Sequence, residues 1–358
     1  MSNNPSSFHL KGLDGWRAVS ILLVILSHLI GQEGEHLFKS IGDFLHQLRI
    51  DHHSFGRKGV QVFFCISGYL IFSRILVEIK KYGNFSFKEF FLRRFFRIFP
   101  PMYFFLGFYL ILALMGKGIS MKETLSSMVF GRIWYPLDDT GWSWYTAHIW
   151  SLCMEEYFYI ILSTVVAFFS LRFVKIGSVL LLIGMIIFNL MIWRIPALKY
   201  YEYQYFLKDF VEFRFMAIGV LFAFLKFSNH PINKKIYEMQ YIIIPLMIGI
   251  TLWKVPFYTL IFPFVVALAI HSTSDHVKPI FSIVLENKVM AHIGLISYSL
   301  YLWQQFWVPW FNLQIKEIAF LQSAPINIVS IYLTAIFSFY IIEKPMIKYG
   351  RKFVTRRF

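Results

Sequence analysis

The sequence predicts an all-α polytopic membrane protein with about ten transmembrane helices, on three observations. Hydrophobic residues make up 57% of the 358 positions and charged residues 15%, whereas soluble domains carry roughly 45–50% and about 25%. Apolar runs of membrane-spanning length recur along the chain. Most of the 35 Lys and Arg residues lie between these runs, which is typical of cytoplasmic loops and not of a nucleic-acid-binding surface. We therefore expect membrane lipid around the chain and no nucleic acid partner.

A helix that crosses a bilayer needs about 20 predominantly apolar residues. The predicted spans cover residues 15–32, 59–79, 99–116, 146–170, 176–194, 209–227, 240–254, 257–271, 292–312 and 325–342. The distribution of basic residues favours both termini in the cytoplasm, and hence an even number of spans. Ten spans leave little room for anything else, so we expect one transmembrane domain over residues 1–358 and no soluble C-terminal domain.

In the first span, Arg17 and His28 are eleven residues apart. This spacing is close to three helical turns, so the two side chains share one face, about 16 Å apart along the axis. Ionisable residues inside a span usually face a wet cavity or a bundle interior. His28 ordinarily titrates near neutrality, as a general base requires. The alternative is a structural histidine near the outer boundary, hydrogen-bonded to a neighbouring helix.

Between the second and third spans, residues 86–99 predict a cytoplasmic amphipathic helix. Ser86 and Glu89 match a capping box, and we expect Pro100 and Pro101 to break the helix and start the next span. Phenylalanines occupy one face. The other face carries three arginines whose planar forks suit phosphate oxygens, namely Arg93, Arg94 and Arg97. The alternative for these arginines is to anchor a cytoplasmic boundary.

The fourth span contains two adjacent carboxylates, Glu155 and Glu156. Glu155 could orient a histidine, accept a substrate hydroxyl or pair with Arg17, and the alternative is a structural Glu–Arg pair between helices. Glu156 points about 100° away from it on the helix. The residues that make one polar stripe at helical spacing are His148, Ser151, Glu155 and Tyr159.

Three further groups complete the candidate residues. The polar face of the ninth span carries Tyr298, Tyr301 and Gln305. The small residues of the second span that permit close helix approach are Gly59, Ser67 and Gly68. Ser67 as a nucleophile would need a nearby base. Cys65 and Cys153 have no spaced partner, so we expect neither a disulfide framework nor a metal site.

Taken in order, six segments resemble the acyltransferase-3 family of integral membrane O-acyltransferases. They are LDGWRAVSILLVILSH (13–28), GVQVFFCISGYLI (59–71), RRFFRIFP (93–100), WSLCMEEYFY (150–159), YSLYLWQ (298–304) and EKP (343–345). Together they extend over nearly the whole chain, which makes them far more specific than any one segment alone.

The resemblance implies transfer of an acyl group, usually acetyl, from cytoplasmic acyl-CoA to a hydroxyl of a carbohydrate or glycolipid at the outer side of a bacterial inner membrane. Acetyl-CoA is then a substrate, with no permanently bound cofactor. The expected catalytic residues are His28, Arg17 and Glu155. The expected donor-binding residues are Arg93, Arg94 and Arg97. The expected pocket residues are Asp14, Ser67, Tyr159, Tyr298, Tyr301 and Gln305.

The sequence departs from the family pattern in two places. Gln304 stands where many relatives have histidine, so His28 carries more of the proposed chemistry. We expect no esterase-like domain of the kind that follows the membrane domain in some relatives. A one-component mechanism, or separate envelope glycan-assembly proteins as partners, is then required.

Two other classes of function compete with this one. A transporter or flippase for a glycan or small solute could also use intramembrane Arg, His and Glu. Such proteins commonly have broken helices in matching halves. Here Pro245, Pro256 and Pro263 lie near the seventh and eighth spans without a counterpart in the first half. A structural scaffold, the third possibility, predicts that changes at His28 are silent.

Overall fold

The structure, a computed structural model, describes residues 11–30, 36–117, 119–134, 144–194, 209–228, 230–309 and 314–354. Within these ranges every regular element is helical, which confirms the predicted all-α character. The helices of the first half are α1 (Lys11–Ile30), α2 (His36–Gln47), α3 (Phe55–Tyr82), α4 (Phe87–Leu114), α5 (Met121–Met128), α6 (Trp144–Ala147), α7 (Ile149–Phe168) and α8 (Leu171–Arg194). Those of the second half are α9 (Phe213–Phe227), α10 (Ile232–Glu238), α11 (Gln240–Leu252), α12 (Tyr258–Ser272), α13 (Pro279–Leu285), α14 (Lys288–Leu295), α15 (Ser297–Trp307), α16 (Ile326–Phe337) and α17 (Lys344–Gly350).

Among the described residues, six helical stretches are long and apolar enough to cross a membrane. They are Gly12–Ile30, His52–Tyr82, Phe87–Leu114, Trp144–Phe168, Leu171–Phe188 and Ile326–Gly350. The other predicted spans contain the shorter helices α9, α11 and α12, and the pair α14 and α15. A polytopic membrane protein is therefore supported, and the total of ten spans stays a prediction.

The helix that carries the three arginines begins as the sequence predicts. The Ser86 side chain accepts a hydrogen bond from the backbone N–H of Glu89, so Ser86 caps α4. The Ser86 N–H donates to a carboxylate oxygen of Glu78, at 2.9 Å. Glu78, from α3, thus takes the place that Glu89 would have in a complete capping box.

The predicted break at Pro100 and Pro101 is wrong, because both prolines lie inside one continuous helix, α4. Proline is tolerated within membrane helices where neighbouring helices support the backbone. Pro100 and Pro101 leave the carbonyls of Phe96 and Arg97 without their helical donors, and the adjacent carbonyl, that of Ile98, accepts a hydrogen bond from the Tyr298 hydroxyl of α15, at 2.9 Å. The three arginines consequently occupy the first turns of a single long helix, and the location of this segment at a membrane surface stays a prediction.

The second predicted span, α3, is the central helix. In its most apolar window 72% of the residues are buried, compared with 17% in α8, whose exposed apolar side chains suit a lipid-facing helix. An added Cβ at Gly68 of α3 would lie 2.1 Å from the carbonyl oxygen of Met216 in α9, and one at Gly59 would lie 2.6 Å from that of Ser20 in α1. Close helix approach at both glycines, as predicted, is confirmed.

The opposite side of α1 is held just as closely. A Cβ added to Gly294 of α14 would lie 1.9 Å from the carbonyl oxygen of Asp14, and one added to Gly15 would lie 2.2 Å from that of Leu285 in α13. No side chain fits at either contact, so the backbones pack directly against each other. The helix that carries Arg17 and His28 is therefore fixed between α3 and the α13–α14 pair.

Candidate active site

A cavity of about 180 Å³ lies between α1, α3, α4, α7 and α15. On α3 its lining extends from Val60 to Glu78, which corresponds to about 27 Å along the helix axis. The cavity is therefore long and narrow. The remaining residues that line it are Arg17, Phe63, Phe64, Ser67, Leu70, Ile71, Arg74, Ile75, Phe90, Arg93, Arg94, Arg97, Ile98, Ser151, Leu152, Glu155, Tyr159, Ser297, Tyr298 and Tyr301.

The charged lining is strongly positive. Five arginines face two carboxylates, those of Glu78 and Glu155, which leaves a formal excess of three positive charges. Four of the arginines are the predicted ones, and the fifth is Arg74 of α3. Arg74 lies within the second predicted span but was not among the predicted site residues, although it follows Ser67 by seven residues, a spacing of two turns that puts both on one helix face.

Two of the arginines are held by carboxylates. Arg93 donates to Glu78 at 2.8 Å and lies 3.5 Å from Glu89. Arg94 donates to Glu156 at 3.1 Å, and its guanidinium lies 3.4 Å from the centre of the Tyr159 ring. Glu156 points away from the cavity lining, as its helical position predicts. These contacts tie α4 to α3 and α7, so a structural Glu–Arg pair does exist, but it is made by Glu156.

Arg17 and Asp14 of α1 differ in their position relative to the cavity. Arg17 lines the cavity, and its guanidinium lies 3.8 Å from the Asp14 carboxylate one turn earlier, which is long for an ion pair. Asp14 itself was predicted to line the pocket, and it is not among the lining residues. Its backbone instead packs against Gly294, and its side chain is adjacent to the lining through Arg17.

Glu155 is bonded within the cavity wall and not to a histidine. One carboxylate oxygen accepts a hydrogen bond from Ser67, at 2.8 Å, and the other from Tyr159, at 3.2 Å. The structure therefore gives the His28 imidazole a different partner, Gln304, and a role of Glu155 in the reaction stays a prediction. The Glu155 carboxylate bonds Ser67 of α3 and Tyr159 of its own helix, whereas Nδ1 of His28 bonds Gln304 of α15.

The cavity ends at a layer of hydrogen bonds between α7 and α15. The hydroxyls of Ser151 and Tyr301 lie 2.7 Å apart, and Tyr301 donates to the carbonyl oxygen of His148 at 3.0 Å. The His148 ring nitrogen Nδ1 lies 2.5 Å from Oε1 of Gln305. Gln305, predicted as a pocket residue, is thus buried behind the lining, where it holds His148. Tyr298 and Tyr301, the other candidate pocket residues of α15, are part of the cavity lining.

His28 lies beyond this layer. Its Nδ1 atom is 2.5 Å from Oε1 of Gln304, and its ring packs edge-on against Trp144 with centroids 5.1 Å apart. Gln304 follows Tyr301 by three residues, about 4.5 Å further along α15. With the amide oxygen of Gln304 as acceptor, the proton sits on Nδ1 and the lone pair on Nε2. Gln304 was noted as a departure from the family pattern, and the structure makes it the partner of His28.

Comparison with known proteins now identifies the family. A family model described as "Acyltransferase domain" matches residues 10–344. A Staphylococcus aureus (strain COL) protein named "Putative O-acetyltransferase SACOL0978" is 30% identical over 327 residues, which is 82% of this chain and 50% of that protein. "O-acetyltransferase OatA" of S. aureus (strain NCTC 8325 / PS 47) is 29% identical over 328 residues, with the same coverage.

The chain thus spans about half the length of these curated relatives. No solved structure gives a significant match. On the match to nearly its whole length, the chain belongs to the acyltransferase-3 family of membrane acyltransferases.

Proposed function

We propose that this chain is a membrane O-acetyltransferase that moves an acetyl group from cytoplasmic acetyl-CoA to a hydroxyl of an envelope carbohydrate or glycolipid. The observation that carries the proposal is the position of two residues of helix α1. One helix supplies Arg17 to an arginine-lined cavity and, eleven residues later, His28 just beyond the inner end of that cavity. A single rigid element therefore joins an anion-binding region to a candidate general base.

The cavity suits the two chemically different parts of a CoA thioester. Its charged end, with five arginines, would hold phosphate groups. The lining between that end and Tyr301 is largely aromatic and aliphatic, which would accommodate the uncharged pantetheine arm. The length of the lining, about 27 Å along α3, favours an extended ligand whose reactive end reaches the layer next to His28.

In the proposed reaction the lone pair of His28 Nε2 takes the proton of the acceptor hydroxyl. The hydroxyl oxygen attacks the thioester carbonyl carbon, the new C–O bond forms and the C–S bond breaks. The leaving thiolate takes the proton back from the imidazolium, so that CoA leaves as a thiol and His28 is regenerated. The thioester must pass the hydrogen bonds between Ser151 and Tyr301 to reach His28. This layer therefore separates the donor-binding cavity from the candidate general base.

The residues around the reaction would have distinct roles. Gln304 orients the imidazole, and Arg17 stabilises negative charge in the cavity. Glu155 holds Ser67 and Tyr159 in the wall and sets its net charge. The proposed setting is a bacterial cytoplasmic (inner) membrane, with both termini and the arginine end of the cavity on the cytoplasmic side. Separate envelope glycan-assembly proteins would present the acceptor.

Acetyl-CoA turnover by the protein tests this proposal against the transporter alternative. Purified protein in liposomes should release CoA thiol from radiolabelled acetyl-CoA, and the label should enter an envelope glycan fraction isolated from cells that lack the gene. As a control, a His276→Ala variant, which changes an exposed histidine outside the site, should release thiol and transfer label as the wild type does. Movement of a glycan across the liposome membrane without any thiol release would contradict the proposed function.

A further inference from the structure

We propose that the phosphate groups of the donor are bound by Arg74 and Arg97, with Arg17 beside them, and that Arg93 and Arg94 serve mainly to hold the cavity wall together. This inference rests on the proposed function and refines it, because it assigns the donor's anionic part to particular arginines. It also adds Arg74, from α3, to a set that the sequence motif confines to α4.

The first support is the pairing pattern of the arginines. Arg93 and Arg94 already bond buried carboxylates, those of Glu78 and Glu156, whose side chains are 1% and 9% exposed. Each pair holds its guanidinium in place through a terminal nitrogen, and a guanidinium that moved away to bind a phosphate would leave a buried carboxylate without its partner, which is costly. Arg93 and Arg94 are therefore poor primary receptors for a phosphate.

The second support is that Arg74 and Arg97 lack such partners. Within the part of the chain that the structure describes, neither has a carboxylate oxygen at ion-pair distance, and both line the cavity. The charge of Arg97 acts on the carboxylate of Glu343, but Glu343 accepts a hydrogen bond from Ser299 at 3.0 Å and is not in the lining. Arg74 is exposed to the cavity, so its guanidinium is available to a ligand.

The third support is electrostatic. The charges of Arg97, Arg17, Arg94 and Arg93 all act on the Arg74 guanidinium, that of Arg97 most strongly. Like charges gathered at one site repel each other unless an anion binds between them. Arg74 and Arg97 come from different helices, so their planar guanidinium groups can donate hydrogen bonds to one phosphate from two sides. A ligand with neighbouring phosphates, such as the 3′-phosphate and diphosphate of CoA, matches this arrangement.

Binding to the purified full-length protein tests this assignment. Isothermal titration of CoA into nanodiscs should show that Arg74→Gln and Arg97→Gln each weaken binding by about tenfold or more, the scale of a charge-assisted hydrogen bond. Arg172→Gln, which removes an exposed arginine on α8, should leave the affinity unchanged. In transfer assays the same two variants should raise KM for acetyl-CoA much more than they lower kcat. Phosphate-free acetyl-pantetheine should be used equally well by wild type and both variants.

The outcomes separate this inference from the proposed function. If the wild type binds CoA and both variants bind it equally well, Arg74 and Arg97 are not the receptor, although the donor assignment stands. If the wild type binds no CoA, the donor assignment fails and this inference fails with it. A phospholipid headgroup is the other source of phosphate. Nanodiscs of phosphatidylcholine alone and with phosphatidylglycerol should give the same variant effect, and an effect seen only with the anionic lipid would overturn the assignment to CoA.

Discussion

The imidazole of His28 and the side-chain amide of Gln304 are bonded to each other, with Nδ1 and Oε1 2.5 Å apart. The bond links α1 to α15 and fixes the histidine ring from one side. An amide oxygen, unlike a carboxylate, holds the ring without adding a negative charge beside it. The next residue, Gln305, holds His148 in the same way, so two neighbouring glutamines of α15 position one histidine each.

Loss of the Gln304 amide should slow the chemical step. Gln304→Leu removes the acceptor for Nδ1, and the ring is then free to adopt the other tautomer. We expect kcat to fall by about 10- to 100-fold, part of the roughly 10²–10⁴-fold that a general base supplies. The KM for acetyl-CoA should stay unchanged. Steady-state kinetics of this variant, with exposed Gln47→Leu as the control, checks the prediction, and unchanged kcat would remove Gln304 from the mechanism.

Neutralising Glu155 should act on donor binding. Its carboxylate lines the same cavity as the five arginines, and Glu155→Gln removes a negative charge that repels the donor's phosphates. We expect KM for acetyl-CoA to fall by about fivefold, on the scale of one partly screened charge interaction. The measurement is KM at low and at high salt, since screening should diminish the difference. A loss of kcat comparable with that of Gln304→Leu would instead make Glu155 part of the chemical step.

The Arg94–Glu156 pair should contribute to stability more than to donor affinity. Its side chains are 12% and 9% exposed, and breaking a buried ion pair by removing one partner costs about 3–5 kcal/mol. Arg94→Gln and Glu156→Gln should each lower the free energy of unfolding, and the double variant should lose less than the sum of the two. A double-mutant cycle in detergent measures this coupling.

The matched control for that cycle is the more exposed pair of Lys117 and Glu317. An exposed ion pair contributes about 0–1 kcal/mol, so Lys117→Gln should change stability little. Equal losses at the two pairs would show that the Arg94–Glu156 contact has no special structural role.

Close packing of α3 against α9 predicts a sharp difference between two glycines. A Cβ at Gly68 would lie 2.1 Å from the carbonyl oxygen of Met216, whereas one at Gly107 of α4 meets nothing within 4 Å. Gly68→Ala should destabilise the protein by about 1–3 kcal/mol through overpacking. Gly107→Ala should be neutral or stabilising by up to about 1 kcal/mol, because alanine favours a helix. Thermal unfolding of both variants gives the comparison, and equal stability of the two would contradict the packing.

Local sequence patterns predicted the helices and several contacts, because those features depend on residues close together in the chain. Three features follow from residues close together in the chain: the Ser86 cap, the close helix approach at Gly68, and the direction of Glu156, which points away from the cavity. The continuity of α4 through Pro100 and Pro101 could not be predicted in this way, because locally a proline pair marks the break or the start of a helix.

The same distinction applies to the site. Spacing placed Arg17 and His28 on one helix face, and the arginines of α4 on another. The partners of these residues could not be predicted, because they depend on which helices pack together. Nothing local indicates that Glu78 meets Arg93 or that Gln304 meets His28. Arg74 is the intermediate case, since its two-turn spacing from Ser67 gave a signal that became meaningful only when Ser67 proved to line the cavity.

The role of His28 is the central claim, and acetyl transfer by a His28→Ala variant tests it most directly. The variant should insert, remain monodisperse and bind CoA with wild-type affinity, because His28 lies outside the arginine-lined cavity. Transfer of labelled acetyl to envelope glycan should fall to background, while His276→Ala transfers at the wild-type rate. Normal glycan acetylation by a correctly folded His28→Ala protein would contradict the account.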